Sequence, residues 1–173
     1  TLDNDSVVYT GEQIKPAVTQ VTIGAETINP DLYQVTYGEN VNVGGGTVIV
    51  TFTNYTEPST KTFQITAKTF VFAVELTDET YTGSAITKTF TFTDTDIEPD
   101  YTLILDTDYT VSYGDDNVNV GTVTVTINGI GNYTGSATGT FNITKATLPA
   151  GEVTITLDND SVVYTGEQIK PAV

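Results

Sequence analysis

The chain has 173 residues and a formal net charge of −16, from 22 acidic residues against 6 lysines and no arginine. His, Cys, Met and Trp are absent, which excludes an imidazole base, a thiol nucleophile and the usual zinc, haem and iron–sulfur ligand sets. A sequence pI near 4.1 opposes contact with nucleic-acid phosphates and with an anionic membrane surface, so neither is expected as a partner.

In chain order, the first 18 residues, TLDNDSVVYTGEQIKPAV, hold a β-prone run and a Tyr-Thr-Gly turn at Tyr9–Gly11. After Leu32 comes LYQVTYGENVNVGGG, then Thr47–Thr53 (TVIVTFT), whose β-branched residues alternate with period 2. That alternation predicts a half-buried antiparallel strand with Thr outward and Val, Ile or Phe inward. Asn54-Tyr55-Thr56 and the run KTFQIT from Lys61 complete a first unit. Through Ile65-Thr66-Ala67-Lys68 the chain then enters FVFAVEL and a second unit with the same order of signals: YTG at Tyr81, a predicted strand at Thr89–Thr93, DYTVSYGDDNVNVG from Asp108, TVTVTI at Thr122–Ile127, NYT at Asn132 and GTFNIT at Gly139. Ile143-Thr144-Lys145-Ala146 leads to a predicted strand at Val153–Leu157, and Thr156–Val173 repeats Thr1–Val18 letter for letter. The chain is therefore read as one period of a longer array plus the start of the next.

Gly, Asn and Asp clusters mark the turns, and no stretch shows helical periodicity with a cap. Five to seven short strands per unit predict an all-β chain of tandem, small immunoglobulin-like β-sandwich repeats, beads on a string, each with its own core. The expected boundaries are 1–67 for the first unit (its first strand truncated), 68–145 for the second and 146–173 for a partial third repeat.

Nine of the ten tyrosines fall at matched positions: Tyr9, Tyr81 and Tyr164; Tyr33 and Tyr109; Tyr37 and Tyr113; Tyr55 and Tyr133. They are expected to be corner and core residues, ring inward and hydroxyl at the rim. A sugar-stacking platform is the alternative. Matched glycines (Gly11, Gly83 and Gly166; Gly38 and Gly114; Gly44 and Gly121) are expected to supply positive φ in turns or bulges. None belongs to a phosphate-binding loop.

Carboxylates carry the candidate chemistry. Asp94, Asp96, Glu98 and Asp100 crowd one loop, with Asp106 and Asp108 shortly after, and this loop is the candidate Ca²⁺ site. Asp115-Asp116-Asn117, Asp3-Asn4-Asp5 and Asp158-Asn159-Asp160 are smaller clusters. The alternative is a solvated acidic surface that keeps a rod soluble. No cofactor other than such a cation is expected. Paired carboxylates for glycoside hydrolysis would need a deep cleft that small beads lack, and no SxxK motif is present; the chain is read as no enzyme. Lys15 with Asn142 or Asn54 is the nominal pair for an isopeptide cross-link, against which stands a solvated lysine. Sequons occur at Asn4, Asn54, Asn132, Asn142 and Asn159.

The frame YTG-x₂-I…DYTVSYGDDNVNVGTVTVTI…GIGNYTG…TFNITKA resembles the immunoglobulin-like MBG- and YDG-type repeats of large bacterial surface proteins. The resemblance implies an extracellular, cell-anchored, adhesin-like protein whose repeats form a stalk or spacer. A loop-based module recognising a glycan or host protein is the alternative. The first unit departs from the frame where GNYTG is replaced by Asn54–Pro58 (NYTEP). Expected partners are neighbouring repeats of the array. The segment Leu148–Val173 is a further candidate partner surface, able to complete another chain's first unit by head-to-tail strand exchange.

Overall fold

The computed structural model describes residues 1–114, 116–149, 151–159 and 161–170. Asp115 and Asp160 of the acidic clusters, and the last three residues of the repeated segment, lie outside the described residues. The described residues are all-β apart from one 3₁₀ turn at Pro30–Leu32, which Asn29 caps by accepting from the Asp31 N–H. In order, the strands are β1 (Ser6–Val8), β2 (Thr22–Ile23), β3 (Glu26–Thr27), β4 (Tyr33–Tyr37), β5 (Gly44–Phe52), β6 (Ser59–Thr66) and β7 (Lys68–Thr69). There follow β8 (Glu79–Thr80), β9 (Thr93–Asp94), β10 (Tyr101–Thr102), β11 (Tyr109–Tyr113), β12 (Gly121–Gly129), β13 (Tyr133–Thr134) and β14 (Ser136–Thr144).

Two sheets share one topology. The first runs β1-β6-β5-β4 and the second β8-β14-β12-β11. In each, the leading strand pairs parallel with the last strand while the other neighbours are antiparallel. The register matches too: Gly44 faces Ile65 as Gly121 faces Ile143. Along β12, Val123, Val125 and Ile127 are buried while Thr122 and Thr124 are exposed, as the period-2 pattern requires.

Opposite each sheet lies an extended segment that forms almost no ladder of its own. Thr89–Thr93, predicted as a strand, is strand only from Thr93. Its backbone groups find side chains instead: Tyr109 donates its hydroxyl to the Phe90 carbonyl (3.0 Å) and Tyr113 to the Lys88 carbonyl (3.1 Å). Tyr37 does the same for Pro16 in the first half (3.0 Å). These hydroxyls satisfy buried main-chain acceptors while the rings pack. Asn40 and Asn117 add a second brace. Each exchanges a bond with the segment, Ile14 N–H to the Asn40 carbonyl and Ile86 N–H to the Asn117 carbonyl, and each side-chain amide returns a bond to that isoleucine's carbonyl.

Three predictions are corrected. Separate cores are replaced by one apolar cluster that runs from Tyr9, Ile14, Val48, Phe63 and Ile65 into Phe72, Phe92, Leu103, Tyr109, Ile127 and Tyr133. A second cluster, around Val123, Val125, Phe141 and Ile143, belongs to the second sheet alone. Gly38 and Gly114 do not adopt positive φ; the left-handed residue of the first turn is Asn40 (φ 47°). Gly38 serves close approach, since a Cβ there would overlap the Thr47 hydroxyl, whereas a Cβ on Gly114 would make only ordinary contact with Thr124 at 3.6 Å. Val153–Leu157 forms no strand, because no described segment lies beside it to complete a ladder.

Candidate functional site

The most heavily constrained site is the joint where the first sheet's end meets the second half's loops. It is built around one ion pair. Ala67 leads from β6 into β7, whose two residues pair parallel with Tyr133 and Thr134 of β13. That pairing fixes Lys68, whose ammonium reaches both carboxylate oxygens of Asp94 at 2.7 Å. The Asp94 side chain is 2% exposed and that of Lys68 16%. Asp96, out in solvent, lies 3.2 Å from the same ammonium, and its own N–H donates to Asp94 at 3.1 Å.

Around this pair the two halves interlock. Asn132 accepts from the Val43 N–H and donates to the Asn42 side chain, both at 2.9 Å. Tyr9 meets the Tyr133 ring edge-on at 5.6 Å, and Tyr101 lies parallel to Tyr133 at 6.3 Å. Gly11, at φ 82°, sits where a Cβ would approach Ile97 to 2.7 Å, so both its conformation and the close packing require glycine. Asp108, also buried, accepts from the Tyr101 hydroxyl (2.9 Å) and the Ile104 N–H (2.8 Å).

The acidic loop is thus divided by its surroundings. Asp94 and Asp108 are buried and held by protein partners; Asp96, Glu98, Asp100 and Asp106 are exposed. Among the described residues, no three acidic side chains gather into a group that could hold a metal ion. Lys15 is exposed, and Asn142 is engaged by the Asp78 carboxylate, which also accepts from the Asn142 N–H at 2.8 Å. That contact holds the Asp78 carboxyl below its ordinary range. No helix among the described residues is long and apolar enough to cross a membrane.

Several joint residues titrate away from their usual values. Burial pushes the Lys68 ammonium down, but its hydrogen bonds and charge contacts with Asp94 and Asp96 outweigh burial and leave it raised. Burial, followed by the Asp108 hydrogen bond and charge, pushes the Tyr101 phenol up to about 12. Burial and then the Asp94 charge raise Tyr133, whose hydroxyl is buried without a hydrogen-bond partner among the described residues. Tyr9 is raised by burial and then by Asp108.

No local pattern marks Lys68, Asn132, Asn42 and Asn40 as residues of the joint. The recurring NVNVG and NYT runs carried the signal, as did the lysine in the ITAK junction. In the sequence alone NYT reads as a turn and a sequon, and ITAK as a linker. No protein family and no curated protein matches this chain.

Two predictions test the joint. Lys68→Met leaves the Asp94 charge buried and unpaired, and is expected to cost about 3 kcal/mol in urea unfolding, while Lys68→Met with Asp94→Leu recovers most of that loss. The second concerns alkali. Tyr9, Tyr101, Tyr133 and Lys68 all have raised values in the folded chain. Their contribution is therefore fully present below the unfolded values near 10 and is lost as pH rises through the folded ones. Melting temperature should fall steeply from about pH 10 upward, with tyrosinate absorbance rising in step with unfolding, and Tyr101→Phe should blunt the fall.

Proposed function

We propose that the chain is a structural spacer, a length of stalk from a bacterial cell-surface adhesin or surface fibre. In this reading it is built of tandem immunoglobulin-like β-sandwich repeats and projects a distal functional region away from an anchored cell. The observation that carries it is the joint. Contacts across it hold neighbouring repeats together: Asn132 bridges to Asn42 and Val43, Tyr9 packs on Tyr133, and Gly11 lies against Ile97. A spacer must transmit reach, and reach is lost if successive units hinge freely.

Charge and sequence support the same reading. A chain carrying −16 over 173 residues repels its neighbours on a crowded surface at modest ionic strength, which keeps parallel rods apart. The letter-for-letter return of residues 1–18 at 156–173 supports an array in which each repeat has a repeat as its partner. The acidic loop, the place a ligand-binding module would use, has its two buried carboxylates committed to Lys68, Tyr101 and Ile104.

The test is competition. Added in excess, the soluble chain should leave attachment of cells bearing the parent protein unchanged. Removing one 155-residue period from the parent should shorten the projected length and keep adhesion by the distal region. Inhibition of attachment by the soluble chain would instead assign recognition to these repeats.

A further inference from the structure

Both sheets place the strand by which the chain enters them beside the strand by which it leaves. β1 pairs parallel with β6, and β8 parallel with β14. Tension along the chain therefore drags the two members of each pair past one another lengthwise. Bonds across a parallel pair are evenly spaced, and under such a pull they take the load together rather than one rung at a time.

Neither pair relies on its short ladder alone. In the first sheet the bonding continues past both ends of β1: the Gln64 N–H donates to the Asp5 carbonyl and the Tyr9 N–H to the Thr66 carbonyl, both at 2.9 Å. In the second sheet β8 has only two residues, and side chains lengthen the contact. The Asp78 carboxylate accepts from the Asn142 N–H at 2.8 Å and from the Asn142 side-chain amide at 3.2 Å. Asn142 matches Gln64 in register, so Asp78 fills with a side chain the place that the Asp5 carbonyl fills in the first sheet. The Thr144 hydroxyl donates to the Glu79 carbonyl at 3.1 Å, and the Tyr81 N–H to the Thr144 carbonyl at 2.9 Å. From the covering segment, Lys88 grips the same strand by the Thr77 carbonyl, at 2.8 Å, and by the Glu79 carboxylate.

We propose that the β1–β6 and β8–β14 pairs are load-bearing clamps, which give the chain the further function of carrying tension without lengthening. Pulling a sheet open by its entering and leaving strands breaks all of these bonds before any length is gained. Pulling across the sheet breaks them in turn. Forced unfolding is governed by the unfolding rate, so the resistance depends on the direction of pull and not on stability alone. Resistance to tension follows from strand order and does not rest on the spacer role.

The absence of cysteine lets handles be attached at chosen pairs of sites in the full chain. Glu75→Cys with Lys145→Cys loads the β8–β14 pair lengthwise. Val120→Cys with Lys145→Cys instead parts the antiparallel β12–β14 pair from one end, where Gly121 faces Ile143. Glu75, Val120 and Lys145 are all exposed. In single-molecule pulling at one speed, the lengthwise handles should unfold the second sheet at about twice the force of the crosswise handles, or more. Asp78→Ala should lower the lengthwise force and leave the crosswise force unchanged, a pattern that a general loss of stability does not produce. Equal forces in the two directions, a lengthwise force unmoved by Asp78→Ala, or an equal fall in both would each overturn the proposal.

Discussion

The rest of the structure depends on a lysine ammonium held against a carboxylate that water barely reaches. Taking Asp94 out of solvent is costly, and the cost is offset only because Lys68 lies 2.7 Å from both oxygens and the Asp96 N–H adds a third donor. That requirement fixes the path of the chain. Lys68 must leave β6 and turn at once into the parallel pairing with Tyr133, which places Phe70 and Phe72 in the aromatic cluster with Phe92 and Tyr133. One ion pair thus fixes where the second half begins and which residues form the shared core.

Three of the tyrosines hold the sheets to the segments that cover them. A sheet covered by an extended segment with no ladder leaves main-chain carbonyls that need donors. Tyr37, Tyr109 and Tyr113 reach across and supply them, with their rings adding apolar area. Asn40 and Asn117 do the same with their side-chain amides, and that of Asn40 also accepts from the Thr47 N–H. A chain without cysteine thus closes its β sheets with tyrosine hydroxyls and asparagine amides around an apolar core.

Where alternation and pairing coincide, the sequence was legible. TVIVTFT and TVTVTI lie in β5 and β12, the central strands, because their inward residues meet a sheet partner on both sides. At Thr89–Thr93 and Val153–Leu157 the same alternation gives no full strand, since period 2 marks an extended segment and cannot say whether a neighbour bonds to it. The joint was hidden for a related reason. Asp94 and Asp108 look like their neighbours in a string of acids, and only the fold puts Lys68 beside one and Tyr101 beside the other. Lys68 itself lies 26 residues from Asp94, a separation that no local pattern encodes.

Differential scanning calorimetry bears most directly on the central point, that the two sheets and the joint between them form one cooperative body. A core shared across the joint predicts a single transition whose calorimetric and van't Hoff enthalpies agree, and Lys68→Met should lower it as a whole. Two separate transitions in the unaltered chain, one for each sheet, would contradict the account.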